Sequence, residues 1–275
     1  SYTSYQTTNS PPYATTGLFT IKIGETVNGV YKGLNTILMA NSSSKSNFRD
    51  LQNWGKSSWT NLTNSFRLLP NLTISATDYP DLSQCSLLFY SFNFSQFPGS
   101  NNFTGWDVSN ITNFGNMFSS INFQGGSIDL SQWDMSNAVS IEGMFQNTVG
   151  NIGDISSWNV SGAASLVNML RSASFNHNVG AWTLGSNLTT IQYMMYVNGM
   201  STNNYTDTLV GWAQGVKTNG YPYNVNAANQ NGKIFDNSRG GGVEFVDAQA
   251  ARTFLTNPTN AGGAGWTISG DTTIN

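Results

Sequence analysis

The chain has 275 residues, of which 9% are charged, 11 basic against 14 acidic. So few bases and a net charge of -3 exclude a protein that grips nucleic-acid phosphates, because such proteins need clustered Lys and Arg. No run approaches the roughly 18 consecutive apolar residues of a membrane span, and one Cys and one His can form neither an internal disulfide nor a Cys/His zinc cluster.

The N-terminal region divides into an arm and a hairpin. Residues 1–16 are rich in Ser, Thr, Tyr and Pro, which predicts an extended arm or a linker from an upstream part. In residues 17–46, apolar and polar residues alternate ahead of the turn dipeptide Asn28-Gly29. This pattern predicts an N-terminal β-hairpin region.

A sequence repeat organises residues 47–200. Trp-Asp-Val-Ser-Asn at 106–110 returns as Trp-Asp-Met-Ser-Asn at 133–137, and more loosely from Trp158 and Trp182. Successive tryptophans are therefore 27, 25 and 24 residues apart. A fixed period of this length is typical of proteins built from stacked structural repeats.

A second marker keeps the same period. Eleven residues after Asp107 lies Phe118, preceded by Met117, and the later coils repeat this pair of large apolar residues. The same interval from Asp81 reaches Phe92, which adds an earlier coil. About five coils of 24–27 residues are predicted.

Each coil is predicted to contain a short strand, a turn and a short helix. An apolar residue three positions before each tryptophan gives the apolar-x-x-Trp-x-apolar spacing of a leucine-rich-repeat strand. The Asp-x-Ser-Asn motif predicts a turn or helix N-cap, and Met-Phe predicts the buried end of a short helix. Because no coil can bury its Trp and Phe alone, neighbours must stack. The predicted fold class is an α/β repeat solenoid, a leucine-rich-repeat-like stack with an N-terminal β-hairpin and a C-terminal α/β cap.

Residues 201–275 are predicted to form the C-terminal cap. Leu209 and Trp212 share one helical face, and Asp247 is the predicted N-cap of a second helix. A strand is predicted around Trp266. Such a cap would close the exposed end of the stack.

The repeat resembles a known family. Trp-Asp-Val-Ser-Asn-Ile-Thr at 106–112, followed by Met-Phe at 117–118, is similar to the BspA-type leucine-rich repeats of bacterial surface proteins. The resemblance covers about residues 50–275 and weakens at Asn159 and Thr183, where the family has Asp. It implies a leucine-rich-repeat-like solenoid and, for some members, adhesion to host proteins, cells or surfaces. It implies no catalytic residues.

Few residues suggest chemistry. His177 favours a surface loop role over catalysis, because a general base needs a nucleophile and an orienting acid nearby. Cys85 is interpreted as a small buried hydrophobic residue in preference to a reactive thiol. The equivalent carboxylates Asp81, Asp107 and Asp134 could share a Ca²⁺, but capping of turns is favoured because the later coils lack the carboxylate. We expect no catalytic residue, no metal and no cofactor.

The remaining candidates are small amides, hydroxyls and acids beside the predicted strand, with aromatic side chains in the cap. Either these side chains hydrogen-bond a sugar or a protein, or they are merely solvated. The predicted ligand-binding residues are Asp107, Gln132, Asp134, Ser157, Asn159, Tyr221 and Tyr223.

Together these features favour a non-enzymatic recognition or adhesion module on an extracellular, cell or virion surface, binding a host-surface glycan or protein. We expect neither nucleic-acid binding nor membrane insertion. The alternative is a structural subunit of a virion, as a capsid fibre, decoration or tail component, or of an extracellular filament, with residues 1–16 mediating self-association. A polysaccharide-acting enzyme comes third, because Arg171 is the only base between residues 81 and 204.

Overall fold

The computed structural model describes residues 25–27, 30–32, 36–39, 48–98 and 101–274, the first two ranges as backbone only. Strands β1 (Glu25–Val27) and β2 (Val30–Lys32) pair antiparallel, at the place where the hairpin is predicted. The predicted arm at residues 1–16 lies outside the described residues.

Parallel backbone pairing joins successive coils. One bridge position recurs every 25–27 residues and pairs with its equivalent in the next coil, at Leu87, Asn113, Ser140, Ser165 and Thr190. Two short strand pairs add to the stack, β3 (Asp50–Leu51) with β4 (Thr73–Ile74), and β5 (Asn122–Ser127) with β6 (Val149–Asn151). Both pairs are parallel, as stacked coils require.

A run of consecutive turns stands where a short helix is predicted in each coil. In residues 115–120, Asn116 N donates sideways to Glu142 O of the following coil at 2.9 Å, whereas Ser119 N closes a turn on Asn116 O at 3.2 Å. Asn116 (φ 53°) and Ser120 (φ 57°) have left-handed backbone. The segment cannot be an α-helix, because alternate N–H groups bond to the neighbouring coil rather than within the segment.

The described residues contain six such turn segments, one for each coil, whereas about five coils are predicted. The additional segment comes first and precedes the Asp and Trp markers of the repeat. The turn segments are residues 63–68, 89–94, 115–120, 142–147, 167–172 and 192–197.

The segment before each tryptophan, predicted to be a short strand, is also a turn. Trp133 N donates to Leu130 O at 3.1 Å, and the two following coils repeat this bond. Side chains close further turns on both sides, since Asp129 Oδ1 and Asp134 Oδ1 each accept from the backbone N–H two residues on, both at 3.0 Å. In the described coils no strand pairing falls around these tryptophans, and the parallel pairing lies at the bridge positions and short strands instead.

Columns of aromatic side chains fill the core, as the repeat predicts. One column of stacked rings, with centroids 5.3–5.8 Å apart, consists of Phe66, Phe92, Phe118 and Phe145. In a second column, Trp133 Nε1 donates to Phe103 O of the preceding coil at 2.9 Å, and the next two tryptophans repeat the bond. The apolar residue three positions before one tryptophan thus supplies the acceptor for the next coil's indole.

The C-terminal cap contains two helices. Helix α1 (Thr202–Asn219) begins after Ser201, and helix α2 (Ala248–Thr256) begins after the predicted cap Asp247, whose side chain accepts from Ala250 N at 2.7 Å. The predicted inward residues of α1 are buried. A 3₁₀ turn (Thr259–Ala261) and two parallel strand pairs complete the cap, β7 (Asn226–Ala227) with β9 (Thr267–Ile268) and β8 (Ile234–Asp236) with β10 (Thr272–Ile274).

The cap supplies partners for the last coil. Tyr193 N donates to Ala228 O at 3.1 Å, in the way that each earlier turn segment donates to its successor. Buried Lys233 donates from Nζ to Asn198 O (2.7 Å) and Met200 O (3.0 Å). Burial lowers the pKa of Lys233 from 10.5 to about 8.

Candidate functional site

The side chains at the positive-φ positions of the turn segments form an outer surface, here called the turn face. Each segment contributes a first and a second positive-φ residue four positions apart, and the residue before the second borders them. The first positions are Asn64, Tyr90, Asn116, Gly143, Asn168 and Tyr193. The second positions are Leu68, Phe94, Ser120, Asn147, Ser172 and Val197. The turn face also includes Arg67, Gln146, Arg171 and Tyr196, all partly exposed.

The middle segments carry residues that suit left-handed backbone. Asn116, Gly143 and Asn168 occupy first positions, and Ser120 and Asn147 occupy second positions. Gly has no Cβ to clash, and Asn tolerates this conformation better than other side chains. These choices follow from the backbone alone and require no ligand.

The outer segments carry bulky residues at the same positions. Tyr90 and Phe94 (both φ 56°) lie towards one end, and Tyr193 (57°) and Val197 (49°) lie at the other. Left-handed backbone costs such residues roughly 1–2 kcal/mol each. Burial does not offset this cost in full, because Phe94 is 51% and Val197 is 55% exposed. Strained residues that gain little packing are typical of functional positions.

Two arginines of the turn face stack on these tyrosines. The Arg67 guanidinium carbon lies 5.3 Å from the centre of the Tyr90 ring, and that of Arg171 lies 5.2 Å from Tyr193 and 5.0 Å from Tyr196. These are cation–π distances. In both places the arginine precedes the second positive-φ residue of its segment, and the tyrosine occupies the first positive-φ position of the next.

Neither arginine has a carboxylate within salt-bridge distance among the residues that the structure describes. Amide oxygens orient them instead, since Arg67 Nε donates to Asn93 Oδ1 at 3.2 Å and Arg171 Nη1 approaches Asn168 Oδ1 at 3.4 Å. In the cap, by contrast, both arginines pair with aspartates. Within the described residues, both guanidinium groups of the turn face therefore lie without a carboxylate partner.

The predicted acids and amide lie on the side of the stack next to the tryptophan column, here called the Asx flank. Asp107, Asp134 and Asn159 are exposed, and each side-chain oxygen accepts from the backbone N–H two residues on at 3.0–3.1 Å. They cap turns, as favoured over a shared Ca²⁺. Hydrogen bonds from the Ser136 hydroxyl and N–H lower the pKa of the Asp134 carboxyl. Over the described ranges, no three His, Cys, Asp or Glu side chains converge as metal ligands.

The same flank holds the predicted amide and hydroxyl. Gln132 Nε2 donates to Ser131 Oγ at 3.2 Å, and Ser157 Oγ approaches Ser131 O at 3.3 Å.

The sequence prediction missed Tyr79, which is 45% exposed and has its ring over Gly105. Gly105 leaves room for this ring, because a Cβ there would collide with it.

The two predicted aromatic platforms lie in the cap. Tyr221 and Tyr223 are 38% and 45% exposed. Tyr221 borders a small depression together with Trp182 and Trp212, next to the end of the tryptophan column. The structure therefore places Tyr221 beside the last tryptophan of the repeat.

The lone thiol and imidazole have ordinary surroundings. Cys85 is buried, and burial raises the pKa of its thiol, which disfavours the reactive thiolate. His177 is partly exposed, with Nδ1 3.8 Å from Asp154 Oδ1 and its ring 5.5 Å from that of Phe175. These contacts agree with the structural interpretation of both residues.

Part of the repeat is similar to a known sequence family of unknown function. Residues 83–208 match the family model described as "Mycoplasma protein of unknown function, DUF285". The matched range contains five of the six turn segments. No curated protein and no solved structure matches the chain. In the described part of the chain, neither helix has the length and apolar character needed to cross a membrane.

Proposed function

We propose that this chain is a non-enzymatic recognition and adhesion module of an extracellular, cell or virion surface, and that its turn face binds a host-surface ligand. The supporting observation is the contrast along the turn face. Middle segments carry mainly Asn, Gly and Ser at these positions, whereas the outer segments carry partly exposed Tyr90 and Tyr193 and exposed Phe94 and Val197 despite the strain.

We also propose that the stack is a BspA-like, leucine-rich-repeat-like solenoid. The DUF285 family is associated with BspA-like surface repeat proteins. The parallel bridges at 25–27-residue intervals give further support, because stacked repeats bury a shared core that no single coil could bury.

A glycan is the favoured ligand over a protein. Between the outer tyrosines the turn face carries amides and hydroxyls, notably Asn116, Ser120, Gln146 and Asn147, with Arg171 as its one base and Glu142 at its edge. Tyrosine combines an apolar ring face with a polar tip, which suits the faces and hydroxyl groups of sugars. The acids of the Asx flank are engaged in turn caps, which supports the non-enzymatic part of the proposal.

A variant that borrows residues from the middle segments tests the proposal. Tyr90→Asn, Phe94→Asn, Tyr193→Asn and Val197→Asn together place a well-tolerated residue at four of the five bulky positive-φ positions of the turn face, with Leu68 kept, so the fold should be retained. We expect binding to glycan arrays and to host cells to be lost, while unfolding by urea stays unchanged or shifts to higher concentration.

The matched control removes exposed apolar side chains elsewhere. Val243 and Val246 in the cap are each 90% exposed, and Val243→Ser with Val246→Asn should leave binding intact. Full binding by the turn-face variant would contradict the proposal. Self-association of the full chain that disappears on deleting residues 1–16, in the absence of any ligand binding, would favour the structural-subunit alternative.

A further inference from the structure

We propose that the two arginine–tyrosine pairs of the turn face are equivalent subsites for an acidic glycan, and that one chain of carboxylate-bearing sugars spans both. This inference rests on the proposed function and names its ligand class. The pairs are Arg67 with Tyr90, and Arg171 with Tyr193.

The two pairs repeat one geometry. Each arginine lies one residue before the second positive-φ position of its segment, and each tyrosine lies at the first positive-φ position of the following segment. The guanidinium-to-ring distances agree, at 5.3 Å and 5.2 Å. Four coil steps separate the pairs, which is roughly 19 Å at about 4.8 Å per step.

Each pair has the chemistry of a carboxylate-sugar subsite. A guanidinium that no described carboxylate neutralises can donate two parallel hydrogen bonds to a carboxylate. An amide oxygen orients each guanidinium, Asn93 of the following coil for Arg67 and Asn168 of the same segment for Arg171. The adjacent Tyr90 and Tyr193 are partly exposed, with one ring face covered by the guanidinium, and the uncovered part of each ring is an apolar surface against which a sugar ring can lie.

The spacing favours a repeating ligand over a protein. The segments between the pairs carry Ser120, Gln146 and Asn147, whose side chains add hydrogen-bonding groups. One acid, Glu142, lies at the edge. Two like subsites in register with the coil match a polymer whose acidic groups recur along its length. A folded protein partner would give no reason for the same pair to appear twice.

Three acidic polymers serve as probes: polygalacturonate, hyaluronan and polysialic acid. Each is measured by calorimetry or biolayer interferometry against the full chain, beside the same polymer with its carboxylates methyl-esterified. The variants are Arg67→Gln, Arg171→Gln and both together. Lys56→Gln is the matched control, because it removes one exposed positive charge outside the turn face.

We expect at least one acidic polymer to bind and its ester to bind poorly. Each single arginine variant should weaken binding about tenfold, the loss of one charge-assisted contact, and the double variant should abolish it. Lys56→Gln should change affinity less than twofold. Affinity should also rise steeply once oligomers become long enough to reach both pairs, because the second contact becomes intramolecular.

Four outcomes would overturn the inference. These are binding to none of the three polymers, equal binding of the esters, an equal loss in Lys56→Gln, and a protein partner held through the pairs in place of a glycan. If the esters bind as well as the acidic polymers and the turn-face variant described above loses this binding, the acidic ligand is refuted while the proposed recognition function stands. Absence of both glycan and protein binding would refute the two together.

Discussion

Val197→Asn should stabilise the protein relative to an equivalent substitution at an unstrained valine. Val197 and Val139 are both 55% exposed, and both backbone N–H groups are hydrogen-bonded, to Asn231 O at 2.8 Å and Thr112 O at 2.9 Å. They differ in backbone, because only Val197 has a positive φ, at 49°. The burial lost on substitution is therefore similar at the two sites, and the difference between them reports the strain.

The magnitude follows from the cost of left-handed backbone. That cost is roughly 1–2 kcal/mol for most side chains, and Asn avoids much of it. We expect Val197→Asn to be more stable than Val139→Asn by about 1 kcal/mol. Urea unfolding followed by tryptophan fluorescence checks this, with the transition midpoint shifting at constant slope. Equal free energies of unfolding for the two variants would refute the strain assigned to the outer turn segments.

Three further predictions concern buried groups. Lys233 has a pKa of about 8 in the folded protein against 10.5 in the unfolded chain. Because the unfolded chain binds more protons between these values, the free energy of unfolding should rise by about 2 kcal/mol between pH 7.5 and 9.5. Urea unfolding at several pH values should show this rise, and Lys233→Met should remove it. Trp158→Phe leaves Leu130 O without its indole donor. It should lower the free energy of unfolding by about 1–2 kcal/mol more than Trp106→Phe does, since Trp106 Nε1 has no partner. Thermal denaturation compares the two variants, and equal losses of stability would disprove a role for the indole hydrogen bond. The Cys85 thiol, buried and with a raised pKa, should react with a thiol reagent only at the rate of unfolding, and rapid labelling of the native protein would contradict its buried position.

The sequence predicted the core of each coil but not its backbone. Phe114, Met117, Phe118 and Ile121 are all buried and follow the i, i+3, i+4, i+7 spacing of a helix. Consecutive turns with a left-handed residue every fourth position bury the same residues. The signal that distinguishes these turns from a helix is the recurrence of Asn or Gly at the first positive-φ position, as at Asn116, because a helix interior does not favour these residues.

The turn caps of the Asx flank were predictable because their residues are adjacent to the repeat's strongest markers. Asp107 and Asp134 close local turns, and a bond to a residue two positions away can be read from sequence. The arginine–tyrosine pairs were missed, because each joins residues of different coils. Arg171 was noticed only as an isolated base, and its relation to Tyr193 becomes visible once the turn segments are aligned.

The sideways hydrogen bonds give the stack a direction. Each turn segment donates its alternate N–H groups to the coil that follows, and the last one donates to the cap. Every interior coil therefore accepts backbone hydrogen bonds from the preceding coil and donates equivalent ones to the following coil. A whole coil can be inserted or deleted without leaving backbone groups unpaired at either end of the stack. Repeat number would then set the separation of Arg67 and Arg171 in increments of about 4.8 Å. A lineage that gains or loses one coil could in this way change the length of ligand it spans without altering the chemistry of either subsite.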